Sequence, residues 1–362
     1  RRLAFAYLTK YMNNDLLEGV DMFPKFHTPP TNLNQKQTLA YIEETMPAET
    51  PLAYGLHPNA EIGFKLREAD AFCSSLLLLQ PRQAADDASM SPEDKAKMVL
   101  DELVEKLPEP FDMEDIRSAV DDFTPYVMVA IQESERMNRL LVEMKRSLAE
   151  LDLGLKGDLT MSEPMEAVMM ALAEDRVPGG WGKVAYPSLR PLGAWVTDLL
   201  ARVQQLVDWT ADLTLPKVTW LPGLFNPQSF LTAVMQTTAR RNDWPLDKTV
   251  IVTDVTKKQP DQIEGPARDG AYIHGLTLEG ARWDEKAGLL EDSQPKELFY
   301  AMPVIQIKAV TVDKAEQKDT YQCPVYTTEV RFRQEVFTAQ LKCKGGENKW
   351  ILAGVCMFLD VY

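Results

Sequence analysis

The chain has 362 residues, of which 45% are hydrophobic and 26% are charged. This composition is ordinary for a globular protein, and the length accommodates two or three domains. Its 54 acidic and 39 basic residues give a net charge of −15. Nucleic acids and anionic membranes are bound by clustered Lys and Arg, so the charge argues against both, and equally against direct docking on an acidic polymer such as a microtubule.

Targeting and redox signals are few. No apolar run approaches the ~20 residues that span a bilayer, and the start of the sequence has no signal-peptide cleavage pattern. The four cysteines show no C-x-x-C pairing, which fits a reduced compartment of the cytosolic type. Because the chain begins with Arg rather than Met, we expect it to be a piece of a longer protein.

The first third of the chain reads as helices joined by irregular segments. Asn59 stands where an N-cap belongs, before a helix that continues to Leu79. A polar, small-residue stretch at 83–92 is predicted to be a linker. The predicted helices of this part are 3–12, 33–46, 59–79, 92–106 and 113–123.

The longest periodic segment is 126–155, which Gly157 is expected to end. Its apolar residues recur in steps of three and four, and charged residues including Glu133 and Arg146 are assigned to the other faces. The spacing permits a coiled coil, but only about three heptads are present. The alternative is a long helix packed on its neighbours.

Further helices are predicted at 161–173 and 192–213, with a loop at 177–191 between them. The stretch 219–241 then begins as an aromatic turn and continues as a helix. Asn226 is its predicted N-cap, and Pro227 occupies the first helical position. Because the hydrophobic period changes after this stretch, we expect it to connect helices to strands.

Beyond residue 241 the apolar residues mostly alternate, which predicts strands. The last two strands are expected to form a hairpin around the turn at 344–348, and the final strand, apolar on both faces, to be central. Pro324 restricts its strand to an edge or a bulge. The fold class is α+β, with the strands in an antiparallel barrel or sandwich. The predicted strands are 248–256, 271–283, 303–312, 321–328, 335–343 and 350–362.

Motifs for chemistry are incomplete. The sequence around Gly182 and Lys183 lacks the first glycine and the Ser/Thr of a phosphate-binding loop. The three histidines lie far apart, and no G-x-S-x-G motif is present. We therefore assign no catalytic, cofactor-binding or metal-binding residue.

Two weaker features remain. Glu279, Arg282 and Asp284 could supply a carboxylate pair for acid–base work, although residues this close usually form an ion pair. The aromatic residues Trp181, Trp195, Trp209, Trp220 and Phe225 could form a partner-binding patch, although most are expected in the core.

Several stretches together resemble the C-terminal end of dynein heavy chains, in the family's order and over nearly the whole sequence. The ending, 335–362, resembles the axonemal outer-arm type rather than the cytoplasmic type. The stretches are YGLHPNAEI (54–62), IQESERMNRLLVEMKRSLAEL (131–151), LKGDLTMSEPME (155–166), VPGGWGKVAYPSLRPLGAW (177–195), WLPGLFNPQSFLTAVMQTTAR (220–240), DGAYIHGLTLEGARWD (269–284), LFYAMPVI (298–305) and YQCPVYTT (321–328).

The resemblance implies a domain order. Residues 1–124 would be the end and helical lid of the sixth AAA+ module, 125–245 the helical part of the C-terminal domain, and 246–362 its β-barrel part. In this family the sixth module does not hydrolyse ATP and a distant stalk binds microtubules. The fragment is therefore expected to carry no cofactor, with ATP and Mg confined to the parent motor.

The resemblance also implies partners and a location. These are the other AAA+ modules of the heavy chain, dynein intermediate and light chains, and microtubules through the parent complex, in the cytoplasm, cytoskeleton and ciliary or flagellar axoneme. No nucleic acid or membrane is expected. The expected role is to brace the AAA+ ring and tune motor output. The alternatives are a free-standing interaction scaffold and a hydrolase that uses Glu279 and Asp284.

Overall fold

The computed structural model describes residues 2–12, 30, 32–45, 50–51, 56–79, 90–315, 318–328 and 335–360. Most of the predicted linker, residues 83–89, and the last two residues of the predicted final strand lie outside these ranges. Among the described residues, helices fill the first two thirds of the sequence. They are α1 (Arg2–Tyr11), α2 (Gln35–Thr45), α3 (Asn59–Leu79), α4 (Pro92–Lys106), α5 (Met113–Ser118), α6 (Pro125–Lys156), α7 (Glu163–Ala173), α8 (Gly179–Val184), α9 (Leu192–Asp212), α10 (Pro227–Asn242) and α11 (Glu347–Leu352).

The predicted helix ends agree best with the structure where a capping residue lies at the end of the helix. Ser91 accepts a hydrogen bond from the Asp94 N–H at 3.1 Å, and α4 begins at Pro92. Gly157 takes the left-handed conformation at φ 81° and ends α6. The helix predicted at 113–123 is shorter, because α5 ends at Ser118. The predicted loop at 177–191 contains the short helix α8.

The long helix α6 is packed on its neighbours along its length, as the second of the two interpretations expected. It contacts α4, α7, α8 and α9 on one stretch and α10 on another. Its buried set is wider than a coiled-coil seam and includes Glu133, whose side chain is fully buried. The assignment of Glu133 to an exposed polar face is therefore wrong.

The strands form three sheets within the described residues. One has the order β1-β3-β8-β2, the second β10-β9-β11-β4-β7, and the third pairs β5 with β6. The single strand predicted at 271–283 is three short strands. The strands are β1 (Thr219–Trp220), β2 (Thr249–Val255), β3 (Ala271–His274), β4 (Thr277–Glu279), β5 (Arg282–Asp284), β6 (Leu289–Glu291), β7 (Phe299–Ala301), β8 (Ile305–Thr311), β9 (Thr320–Tyr326), β10 (Phe337–Lys342) and β11 (Cys356–Phe358).

The C-terminal segment differs from its prediction. Residues 347–352 form α11, and only Cys356–Phe358 form a strand. The predicted hairpin of the last two strands is wrong, because β10 pairs with β9 and not with β11. The central position of the last strand is confirmed: β11 lies between β9 and β4, and its three side chains are all buried.

Pro324 lies in β9, which is an interior strand of its sheet, so the predicted edge position is wrong. However, β9 pairs with β11 only at Val325 and Tyr326. On the same side of β9, Gln322 is bound by side chains, since its N–H donates to Glu347 and its carbonyl accepts from Arg2. In a strand, the backbone N–H and C=O groups of alternate residues face the same neighbour. Pro324 therefore faces the same side as Gln322, where β9 has no strand partner, and its missing N–H leaves no ladder bond unmade.

The α+β class is confirmed, whereas the barrel or sandwich is not, because none of the sheets formed by the described strands is a closed barrel. The two larger sheets adjoin where β2 meets β10. The Gln340 N–H donates to the Thr253 hydroxyl at 2.6 Å, and the Thr253 N–H donates to the Gln340 side-chain oxygen at 2.8 Å. The N–H groups of Thr253 and Gln340 are thus satisfied by side chains, where a continuous sheet would have paired them with the backbone of the neighbouring strand.

The hydrophobic side chains form two clusters. One contains residues from α4, α6, α7, α8 and α9. The other contains residues from α6, α9, α10 and both larger sheets. Helix α4, on the N-terminal side of the predicted boundary at residue 124, thus packs with helices that follow that boundary. The division of the sequence at 124 and 245 stays a prediction.

Gly270 tests the close packing of β3 against β8. It has a φ of 76°, and a Cβ at this position would lie 1.8 Å from the Ile307 carbonyl oxygen. Gly157, with a φ of 81°, has open space around the same atom. We expect Gly270→Ala to lower the free energy of unfolding by at least ~2 kcal/mol more than Gly157→Ala, which carries only the backbone strain. Urea unfolding measures both; equal losses would contradict the packing described.

Candidate functional site at the joint between helices and sheets

The segment 219–227 lies between the helical and β-sheet parts of the protein. Its first residues form β1, which pairs in parallel with β3, and its last residues cap α10. We call this segment, with the side chains that contact it and the charged side chains linked to them, the joint. The contacting side chains are Glu133, Tyr186, Arg202 and Gln205. The linked ones are Asp198, Arg190 and Asp360.

Glu133 attaches α6 to the joint. Its carboxylate accepts hydrogen bonds from the N–H groups of Phe225 and Asn226, the latter at 3.2 Å, and from Arg136 at 2.6 Å. Burial raises the pKa of Glu133 above its ordinary value, while these three donors act in the opposite direction. The carboxylate satisfies two N–H groups that precede α10, beside the predicted cap, where Asn226 accepts from the Ser229 N–H at 3.4 Å.

Arg202 attaches α9 to the same segment. Its Nε lies 2.6 Å from Asp198 Oδ2, and its Nη1 donates to the Pro222 carbonyl. The guanidinium carbon lies 3.5 Å from the centre of the Tyr186 ring. Only 2% of the Arg202 side chain is exposed. A buried guanidinium is tolerated here because a carboxylate, a carbonyl and an aromatic face replace its water.

Arg190 extends this charge network to the C-terminal end of the described residues. It donates to both oxygens of Asp360, at 3.2 and 3.0 Å, and its Nε lies 4.0 Å from Asp198 Oδ1. Bidentate pairing of this kind fixes the relative orientation of the two side chains. Asp360 follows closely on the residues of β11, so the network joins α9 to the central strand of the five-stranded sheet.

Aromatic rings pack around these charges. Trp181, Trp195 and Trp209 are buried, which confirms them as core residues rather than a surface patch. Tyr186 contacts Trp195 and Phe225 with ring centres 5.8 and 5.5 Å apart. Burial raises the pKa of Tyr186, so its hydroxyl stays protonated. A cavity of about 590 Å³ lies beside the joint, lined by residues that include Arg202, Phe225 and Asp360.

The arrangement serves attachment rather than acid–base chemistry. The carboxylates of Glu133, Asp198 and Asp360 are each paired with an arginine. Such pairs hold elements together but leave no carboxylate poised to exchange a proton with a substrate. In the part of the protein that the structure describes, no group of three His, Cys, Asp or Glu side chains could hold a metal ion, and no helix is long and apolar enough to cross a membrane.

The acidic constellation predicted from the sequence is divided between two sheets. Glu279 lies in β4 and contacts Cys356, whereas Asp284 lies in β5 and accepts from the N–H groups of Lys286 and Ala287. These backbone bonds hold the pKa of Asp284 below its ordinary value. Arg282 lies 4.0 Å from Glu297, and its charge also helps to lower the pKa of Asp284. The hydrolase interpretation therefore has no support from the geometry.

Sequence reasoning missed the charged residues of the joint. A signal was available in α9, where Asp198 and Arg202 are four residues apart on the face that also carries Leu199 and Leu206. An oppositely charged pair on an apolar face indicates a buried ion pair. No local signal marks Asp360, whose partner Arg190 is distant in the sequence.

Comparison with known proteins decides the family. The family described as the C-terminal domain of dynein heavy chains matches residues 66–359. The protein belongs to this dynein family. The match includes every residue of the joint except Asp360, and it begins inside α3.

Individual dynein relatives are similar along the whole sequence. It is 69% identical to "Dynein beta chain, flagellar outer arm" of Chlamydomonas reinhardtii, 51% identical to "Dynein beta chain, ciliary" of Heliocidaris crassispina, and 49% identical to "Dynein axonemal heavy chain 17" of Homo sapiens. All of this sequence is covered in each comparison, but it spans only 8% of each relative's length.

Arg202→Met tests the joint, because it removes the guanidinium and leaves buried Asp198 with the Tyr186 hydroxyl and the more distant Arg190. We expect the free energy of unfolding to fall by ~3 kcal/mol or more. Arg146→Met is the matched control: Arg146 pairs with Glu143 and Glu150, but half of its side chain is exposed. Because water screens these exposed pairs, its loss is expected to be much smaller than that of Arg202→Met. Urea unfolding measures both variants. Equal losses of unfolding free energy in the two would contradict a structural role for the buried Arg202–Asp198 pair.

Proposed function

We propose that this protein is the C-terminal portion of an axonemal dynein heavy chain of the outer-arm type, an ATP-driven, microtubule-based motor. The observation that carries the proposal is the match to the dynein C-terminal domain family over residues 66–359, joined to 69% identity with a flagellar outer-arm beta chain. Motor activity belongs to the longer protein, since the sequence spans 8% of that relative.

Within that motor, these residues brace the AAA+ ring and tune the motor's output. Residues 1–124 are the end and lid of the sixth AAA+ module, 125–245 the helical part of the C-terminal domain, and 246–362 its β part. Two observations support a brace: α6 contributes to both hydrophobic clusters, and buried charge pairs attach α6 and α9 to the segment that leads into the sheets. Parts connected in this way transmit force instead of hinging.

The proposed partners follow from the same assignment. They are the other AAA+ modules of the heavy chain, dynein intermediate and light chains, and microtubules through the parent complex, in the cytoskeleton of the ciliary or flagellar axoneme. ATP and Mg act in other modules of the heavy chain. The net charge of −15 supports a fragment that does not itself dock on the acidic microtubule surface.

Deleting residues 246–362 from the full heavy chain tests this role. We expect altered microtubule-gliding velocity and altered microtubule-stimulated ATPase, because the brace is lost while the upstream ATPase modules remain. Since the deletion also uncovers the apolar face of α10, Arg202→Met serves as a milder variant that retains every residue, with Arg146→Met as its control. Wild-type velocity, force and ATPase in both the deletion and Arg202→Met would refute the bracing role.

A further inference from the structure

Asn59 does not act as the helix cap that the sequence predicts. It is the first residue of α3, and its side chain reaches a turn some 235 residues later in the sequence. Its Nδ2 donates to the carbonyls of Gln294 and Glu297 at 2.7 and 2.9 Å, and its Oδ1 accepts from the Lys296 N–H at 2.7 Å. Three hydrogen bonds thus bind one amide side chain to the backbone of a single turn. We call this contact the Asn59 clasp.

The turn at 294–297 is shaped to receive this amide. Pro295 and Lys296 are its central residues, and the Glu297 N–H donates to the Gln294 carbonyl at 3.1 Å. Lys296 has a φ of 71°, a conformation that costs a residue with a side chain some free energy. Two carbonyls and the Lys296 N–H of the turn bind Asn59, so the clasp offsets this strain and fixes the turn just before β7.

The clasp holds a helix whose described side chains are mostly exposed. Among the side chains of α3 that are described, Asn59 alone is buried, with 8% exposed. Further along, Phe64, Leu66 and Phe72 are more than half exposed. The described contacts therefore attach this 21-residue helix to the β part at its N-terminus, through Asn59.

The local backbone aims Asn59 at the turn. The Asn59 N–H donates to His57 Nδ1 at 3.1 Å, and the Ala60 N–H donates to the His57 carbonyl at 3.0 Å. These bonds form the first turn of α3 without help from the Asn59 side chain. Its amide is therefore free to bind elsewhere, which explains the L-H-P-N-A sequence better than a helix cap does.

We propose that the Asn59 clasp is the mechanical connection through which α3 transmits movement to the five-stranded sheet. The turn leads directly into β7, which pairs with β4, and β4 pairs with the central strand β11. The effect of this connection on motor output rests on the proposed function, in which α3 belongs to the AAA+ lid and the sheet to the brace. Asn59 is a positioning residue in this scheme and takes no part in ATP chemistry.

Hydrogen exchange tests the contact itself. In Asn59→Ala, backbone amides of 293–301 should exchange about tenfold faster or more, because three hydrogen bonds to the turn are lost. The matched control is Asn34→Ala: Asn34 also precedes a helix, but its Oδ1 accepts the local Gln37 N–H, as an ordinary cap does. That variant should leave 293–301 unchanged. Unchanged exchange of 293–301 in Asn59→Ala would overturn the clasp.

Motor assays of the full heavy chain test the transmission. Asn59→Ala should alter gliding velocity and microtubule-stimulated ATPase in the same direction as deletion of 246–362, whereas Asn34→Ala should not. Adding Lys296→Gly removes the strain at φ 71° but restores none of the three hydrogen bonds to Asn59, so motor output should stay altered. Wild-type output in Asn59→Ala, or output restored by Lys296→Gly, would overturn transmission. If the deletion itself leaves output unchanged, the bracing role fails, while the exchange result still decides the clasp.

Discussion

The buried guanidinium of Arg202 is the contact on which the arrangement of helices and sheets depends. It lies on the apolar face of α9, and its bonds to Asp198 and the Pro222 carbonyl, with its stacking on the Tyr186 ring, make that position tolerable. Those bonds hold the segment 219–227 against α9, while Glu133 holds the end of the same segment against α6. The segment can then place β1 beside β3 and begin α10. The charges thus specify one relative placement of two apolar clusters.

Helices in the middle of the sequence could be predicted closely because local signals agree with the tertiary structure there. Ser91 and Pro92 mark the start of α4, and Gly157 ends α6, so the sequence and the packing specify the same ends. Asn59 shows the limit of such signals. Its residue type is typical of an N-cap, yet its side chain binds the turn at 294–297. Nothing local distinguishes these two uses of an asparagine.

Strands were harder to predict because a strand of three residues is too short to show the alternation of apolar and polar residues. The segment 350–362 is apolar on both faces, which fits a buried strand or a buried helix equally, and the structure contains α11 followed by β11. The pairing of β11 with β4 and β9 is non-local, so no hairpin signal could reveal it. The joint was located from the change of period near 219–241, but its charged residues converge from elements distant in sequence. Only the i,i+4 pair of α9 was visible in advance.

Helices and sheets share a hydrophobic cluster to which α6 contributes, and the joint connects them beside it. The most direct test follows unfolding of the protein in urea by hydrogen exchange, comparing amides of α6 with amides of β8. Helix α6 contributes to both clusters, and β8 belongs to the cluster that also contains the sheets. Because the two elements pack in that same cluster, both should lose protection at the same urea concentration. Loss of protection in β8 at a clearly lower concentration, with α6 still protected, would contradict a shared core.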